Sequence, residues 1–200
     1  MPAHPVFDES TILDKARDLF WERGYNATSI ADLEKGLGIS RSSIYNTFGG
    51  KRALYDLTLN RYSDGSLQNL QTALGASTDL KQSLKDLMSQ AIQSQTSSCV
   101  NGSKGCYVVN ATTEMASRCP DALSFVSNNR EEFIRIMISI FEGSNQLDLS
   151  QNSAQDLANL LFVLYNGSQV VVKTGIDREQ LQQSIFTAID SMPWLENQLG

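Results

Sequence analysis

A short run of polar side chains, set between two glycine-containing breaks, is the part of this sequence best suited to contact another molecule. The stretch from Ser40 to Phe48 reads SRSSIYNTF, and Ile44 and Phe48 are four residues apart, as on the buried face of a helix. The opposite face carries one cation with hydroxyl and amide groups, which are the groups that hydrogen-bond to base edges and phosphates in a DNA groove. The predicted base-edge contacts are Arg41, Ser42 and Ser43, and the other predicted DNA contacts are Thr28, Ser40, Tyr45, Asn46 and Lys51.

The flanking residues predict a helix-turn-helix that would hold this polar face in place. Ser29 and Asp32 have the spacing of a capping box at the start of one helix. Gly36-Leu37-Gly38 would end that helix, and Gly49-Gly50 would end the polar one, because glycine takes a positive φ at little cost. In a helix-turn-helix the second helix enters the major groove. The alternative is a plain three-helix unit that does not bind DNA.

The segment from Leu19 to Leu57 resembles the N-terminal domain of the TetR family of bacterial regulators, of the AcrR-like kind. The matching residues are Phe20, Gly24-Tyr25, Thr28-Ser29-Ile30, Ile39-Ser40, Ile44-Tyr45, Phe48, Lys51 and Leu54. The resemblance implies an all-α fold of about nine helices, with a DNA-binding domain at residues 1–52 and a ligand-binding and dimerisation domain at residues 53–200. It also implies a transcriptional regulator, expected to be a repressor, that binds a near-palindromic operator as a homodimer.

Charge is distributed unevenly along the chain. The net charge is -6, but residues 1–62 hold eight basic and eight acidic side chains, so the excess acid lies entirely in residues 63–200. Between residues 40 and 62 the local balance is +3. Because the local field attracts phosphate, the acidic total is compatible with DNA binding. The first ten residues lack the pattern of a signal peptide, so we expect a cytoplasmic protein.

The remainder of the chain has helical periodicity throughout. A long helix should start near Lys51 and run into the seventies, with a bend or break at Asp64-Gly65-Ser66. The apolar run from Phe133 to Phe141 fits a buried helix better than a strand, because of its length and the helical pattern before it. The helix from Ala154 to Thr174 is apolar on most sides, which predicts that part of its surface meets a second subunit. The segment VVKTGIDREQLQQSI resembles the last two helices of TetR-like proteins, and this resemblance implies a dimer formed by these helices rather than a monomer.

Cys106 is the residue with the most distinctive reactivity. It follows Lys104-Gly105 at the predicted start of a helix, where free N–H groups, the helix dipole and a lysine favour a thiolate. The stretch GCYVVNATTEMA resembles a Gly-Cys subgroup of the TetR family that includes the repressor responsive to N-ethylmaleimide. That resemblance implies a redox or electrophile sensor at Cys106. Cys99, in the polar segment before it, is the candidate to resolve an oxidised Cys106, and Cys119, beside Pro120, is a weaker one. The alternative is that Cys106 only packs a helix start.

The sequence offers candidate pocket residues but no residue set typical of an active site or a metal site. Aromatic and soft side chains suited to a pocket, or equally to a core, are Phe125, Phe133, Met137, Phe141, Phe162 and Tyr165. The single histidine, His4, is badly placed for a catalytic base or a zinc site, so we expect neither an enzyme nor a bound metal or cofactor. The other function classes left open are a helical protein-interaction module without DNA binding and, less favoured, a small-molecule-binding enzyme.

Overall fold

A computed structural model of the 200-residue chain describes residues 7–93, 104–117, 119–150 and 152–195. All regular elements in these ranges are helical. The α-helices are α1 (Glu9–Arg23), α2 (Ile30–Leu37), α3 (Arg41–Phe48), α4 (Lys51–Gly75), α5 (Leu80–Gln93), α6 (Tyr107–Ala111), α7 (Pro120–Gly143), α8 (Ala154–Val171) and α9 (Arg178–Asp190). A π-helical turn, Thr112–Ala116, continues α6, and a 3-10 turn, Val172–Thr174, continues α8. The predicted all-α fold of about nine helices is confirmed, and no helix in the described ranges is long and apolar enough to cross a membrane.

Side-chain caps determine where several helices begin. The Asp8 carboxylate accepts hydrogen bonds from the N–H groups of the first turn of α1, and Ser153 and Asp177 do the same for α8 and α9. A cap satisfies backbone donors that have no partner within the helix, so these short polar residues place the helix starts.

The break predicted as one possibility at Asp64-Gly65-Ser66 does not occur, because α4 is one helix of 25 residues. Gly65 lies on its exposed side with open space around it. A glycine inside a helix costs only about 1 kcal/mol relative to alanine. The buried residues Leu59 and Leu70 on either side of it anchor the helix to two cores, and that packing outweighs the glycine.

Two apolar cores share α4. The first joins α1, α2, α3, the start of α4 and α6, with Phe20, Leu33 and Ile44 almost fully buried. The second joins the end of α4 to α5, α7, α8 and α9, with Met137 and Phe141 fully buried. The predicted domain boundary after residue 52 falls on the second residue of α4, and the division into functional domains stays a prediction.

Candidate DNA-reading surface and effector cavity

Helices α2 and α3 form the predicted helix-turn-helix. The capping box at α2 is complete: Ser29 Oγ accepts from the N–H of Asp32 at 3.1 Å, and the Asp32 carboxylate accepts from the N–H of Ser29 at 2.9 Å. Gly38 ends α2 with φ +70°, and Ser40 caps α3 by accepting from the N–H of Ser43 at 3.2 Å. Each part of the motif is therefore held by local hydrogen bonds that its own residues supply.

The polar face of α3 is turned outward. Ile44 and Phe48 are buried against the first core, and Ser40, Arg41, Ser42, Tyr45 and Asn46 on the other side are exposed. Ser43 is half-buried. The described carboxylates form no ion pair with the Arg41 guanidinium, which lies 5.9 Å from the centre of the Tyr45 ring. A cation, hydroxyls and an amide thus project together from one short helix.

Thr28 was predicted to contact phosphate, and the structure places it inside the fold. Its side chain is fully buried, and Oγ1 donates to the carbonyl oxygen of Gly24 at 2.6 Å. In this arrangement the Thr28 hydroxyl closes the turn between α1 and α2. It has no surface to offer to a DNA backbone.

Lys51 lies at the N-terminus of α4, next to the end of α3. Its ammonium group sits 4.2 Å from the centre of the Tyr25 ring, a cation–π contact. Partial burial lowers the pKa of Lys51 from its usual value, and the Glu114 and Asp32 carboxylates oppose that shift. The half-buried ammonium is therefore held by a ring at the edge of the polar face.

Cys106 occupies the N-cap position of α6, as predicted, but its thiol is buried. The residue before it, Gly105, has φ +65°, and its carbonyl oxygen accepts a hydrogen bond from Trp21 Nε1 of α1 at 3.0 Å. The hydroxyl of Tyr62 on α4 lies 3.8 Å from Cys106 Sγ. The Gly-Cys pair therefore touches helices of the first core directly.

A cavity of about 70 Å³ adjoins Cys106. The lining residues come from α4, α5, α6, α7 and α8 and include Tyr62, Leu70, Cys106, Val109, Asn129, Phe133, Phe162, Tyr165 and Asn166. Of the predicted pocket residues, Phe133, Phe162 and Tyr165 line it. Met137 and Phe141 fill the second core instead, and Phe125 packs against the first core.

Most of the cavity-lining residues were not predicted to line a pocket, among them the polar residues Tyr62, Asn129 and Asn166. Sequence periodicity marks buried positions, but it does not show that polar side chains on α4, α7 and α8 converge at one level. Burial raises the pKa of both Tyr62 and Tyr165 well above the usual range, so both phenols are protonated at neutral pH. The cavity therefore presents a thiol, two phenol hydroxyls and amides within a largely apolar wall.

The other cysteines differ from Cys106. Cys99 lies outside the described residues. Cys119, just before α7, is half-exposed, and its sulfur accepts a hydrogen bond from Arg52 Nη1 at 3.0 Å, which lowers the pKa of the thiol. Within the described part of the chain no group of three His, Cys, Asp or Glu side chains is arranged to hold a metal ion.

Comparison with known proteins identifies the N-terminal part of the chain. Residues 12–57 match the family described as bacterial regulatory proteins, tetR family. The chain is similar to the HTH-type transcriptional repressor ComR of Escherichia coli (strain K12), with 26% identity over 95% of this chain and 91% of ComR. It is also similar to the HTH-type transcriptional regulator YezE of Bacillus subtilis (strain 168), with 28% identity over 66% of this chain and 67% of YezE.

Solved structures extend the similarity to the whole fold. A cysteine-substituted form of the TetR family regulator CifR, in complex with 26 bp operator DNA, has TM-score 0.82 and 25% identity, covering 96% of this chain and 100% of that chain. Reduced E. coli NemR shares the fold with TM-score 0.81 at 16% identity, over 95% of this chain and 98% of NemR. The chain is therefore a transcriptional regulator that carries the N-terminal, DNA-binding domain of the TetR family.

Proposed function

We propose that this regulator is a repressor that binds a near-palindromic operator as a homodimer and releases it when the cavity beside Cys106 is modified or filled. Residues 1–52 would bind DNA, and residues 53–200 would receive the signal and form the dimer. The observation that carries the proposal is the outward polar face of α3. Buried Ile44 and Phe48 anchor this helix, and the Lys51 ammonium group lies beside its polar face at the start of α4. We also propose a cytoplasmic location, where a bacterial regulator meets its DNA.

The DNA contacts follow from where each side chain lies. Arg41, Ser42 and Ser43 are on the first turn of α3, which is the part of a recognition helix that enters the major groove, so we assign them to base edges. Ser40, Tyr45 and Lys51 flank that turn and are assigned to phosphates, with Asn46 as a further polar contact on the exposed side.

The dimer is supported by an exposed apolar stripe on α8. Leu160, Val163 and Val170 are 42%, 65% and 44% exposed, and exposed Gly167 lies between them at the spacing of one helix face. An apolar stripe with a small residue lets two helices approach closely. A second copy of the chain related by two-fold symmetry would cover both stripes, and two reading helices match a near-palindromic site.

The lining and the size of the cavity support a small oxidant or electrophile as the inducing signal. A volume of about 70 Å³ admits a few atoms, well below the ~300–1,000 Å³ of pockets for drug-sized ligands. A small oxidant or electrophile fits this space and would meet the Cys106 thiol, whereas a larger inducer would have to widen the cavity. Protonated Tyr62 and Tyr165 would offer hydrogen-bond donors rather than general bases, so we infer that this cavity serves for binding or modification.

The direct experiment is selection of genomic DNA by the purified protein with and without N-ethylmaleimide. We expect the untreated protein to enrich fragments that share a near-palindromic sequence, and the reagent to release them. Cys106→Ser should resist release, and Cys119→Ser, the control for the half-exposed thiol, should respond like the wild type. Equal release from Cys106→Ser would exclude sensing at this thiol, and no enrichment by the untreated protein would favour a protein-interaction module.

A further inference from the structure

Glu114 connects the turn that continues α6 to the DNA-binding part of the chain. It lies in the π-helical turn that continues α6, and it is half-buried. Its two carboxylate oxygens accept hydrogen bonds from consecutive backbone N–H groups, Tyr25 at 3.0 Å and Asn26 at 2.7 Å. Tyr25 and Asn26 form the turn between α1 and α2, so one side chain holds a turn 88 and 89 residues away in sequence.

The backbone conformation of Gly24 and its lack of a Cβ atom leave room for the Glu114 carboxylate. Its φ is +84°, and a Cβ atom added there would lie 3.1 and 3.2 Å from the two carboxylate oxygens of Glu114. Any other residue would be strained by the backbone conformation and would also push the carboxylate away. The glycine at the end of α1 is thus explained by the approach of Glu114 as well as by the turn.

The same turn sets the position of the DNA-contacting groups. The carbonyl of Gly24 accepts the hydrogen bond from buried Thr28, which directly precedes the capping box of α2. The ring of Tyr25 holds the Lys51 ammonium at 4.2 Å. A displacement of the turn would therefore move the start of α2 and release a cation that we assign to phosphate.

Glu114 is also connected to the cavity through continuous helical backbone. Residues 106 to 116 run as one continuous helical segment from the Cys106 N-cap through α6 to the π-helical turn. At the cavity end the Gly105 carbonyl is bonded to Trp21, and at the far end Glu114 is bonded to the turn after α1. The segment therefore contacts α1 near its C-terminus, at Trp21, and also contacts the turn that follows α1.

We propose that Glu114 is the positioning residue through which the cavity controls DNA binding, by holding the α1–α2 turn in the DNA-competent geometry until α6 moves. The inference rests on the proposed function, because it assigns DNA binding to α3 and Lys51. We call this contact the Glu114 latch: the Glu114 carboxylate accepts hydrogen bonds from the backbone N–H groups of Tyr25 and Asn26. A shift of α6 by the length of one hydrogen bond would release both amides together.

The test compares Glu114→Ala and Glu114→Gln with the wild type in two measurements. The first is amide hydrogen exchange at Tyr25 and Asn26. We expect exchange to be at least roughly tenfold faster in Glu114→Ala, in line with the loss of charge-assisted hydrogen bonds, with a smaller change in Glu114→Gln, which keeps one acceptor oxygen. Exposed Glu142, at the end of α7, supplies the matched control Glu142→Gln, which should behave as the wild type.

The second measurement is affinity for a DNA fragment selected by the wild type, at a temperature where every variant is folded by circular dichroism. We expect Glu114→Ala to bind roughly tenfold more weakly, and wild-type exchange at Tyr25 and Asn26 to slow further when DNA is bound. A variant that loses amide protection yet keeps wild-type affinity would overturn the latch and leave the proposed function standing. A wild type that binds no DNA with salt-dependent affinity would overturn the proposed function itself.

Discussion

Replacing Gly105 with alanine should destabilise the protein far more than the same change at Gly38, although both glycines have nearly the same backbone conformation. Their φ values are +65° and +70°, so alanine at either site costs about 1–2 kcal/mol of left-handed strain. The sites differ in the space around the new methyl group. At Gly38 it would meet nothing within 4 Å, whereas at Gly105 it would lie 2.8 Å from the carbonyl oxygen of Gln169 and against the Lys173 side chain.

The atoms around the added methyl group determine how much the two variants differ in their free energy of unfolding. The end of the Lys173 side chain can rotate away, but the Gln169 carbonyl belongs to the backbone of α8 and cannot. Overpacking of that kind adds about 1–3 kcal/mol. We therefore expect Gly105→Ala to be less stable than Gly38→Ala by about 1–3 kcal/mol, which is a Tm lower by about 2–12 °C for a chain of this size.

The assay is thermal unfolding followed by circular dichroism, with fluorescence of Trp21 in a Trp194→Phe background as a local probe. Trp21 donates to the Gly105 carbonyl, so a displaced Gly105 should change the Trp21 emission maximum before unfolding begins. Gly38→Ala should leave that emission unchanged. Equal losses of Tm in the two glycine variants, or an unchanged Trp21 emission in Gly105→Ala, would refute the close packing of the Gly-Cys pair against α8.

Three further predictions concern other parts of the molecule. Ile44→Ala should lower the free energy of unfolding by about 2–5 kcal/mol, measured by urea titration, because Ile44 is fully buried; a loss below about 1 kcal/mol would contradict its role as an anchor of α3. Arg52→Gln should slow alkylation of Cys119 by iodoacetamide at pH 7 and raise the midpoint of the rate-against-pH curve toward about 8.5, because Arg52 is the main cause of the lowered Cys119 pKa; an unmoved midpoint would contradict this. Val163→Glu should shift the protein to monomer in sedimentation velocity at micromolar concentration, and a dimer of unchanged stability would place the interface elsewhere.

The helices could be predicted because their signals are local. A capping residue such as Ser29 or Ser40 binds N–H groups within its own first turn, and a C-terminal glycine such as Gly38 needs no distant partner. The same reasoning failed at Gly65, where packing on both sides of the glycine outweighed its local cost. Thr28 was misjudged for a related reason: a threonine at a helix start can face solvent or close a turn, and only the position of the Gly24 carbonyl decides.

The cavity could be predicted only in part. Phe133, Met137 and Phe141 repeat every four residues and so share one face of α7. Only Phe133 lies at the level where α4, α6 and α8 leave a gap, and periodicity along a single helix carries no such information. Glu114 was not singled out from the sequence at all, because its partners are backbone amides far away in sequence, and backbone amides have no residue-type signature.

Salt-dependent DNA affinity of Lys51→Ala, beside the wild type and Arg130→Ala, tests most directly whether the face of α3 binds DNA. Each lost phosphate contact reduces the magnitude of the negative slope of log affinity against log salt by about 0.9, so a dimer that lacks both Lys51 ammonium groups should have a slope smaller in magnitude by about 1.8. Arg130, an exposed cation on α7 away from α3, should leave slope and affinity unchanged when removed. An unchanged slope and affinity in Lys51→Ala, or an equal loss in Arg130→Ala, would contradict DNA binding through this surface.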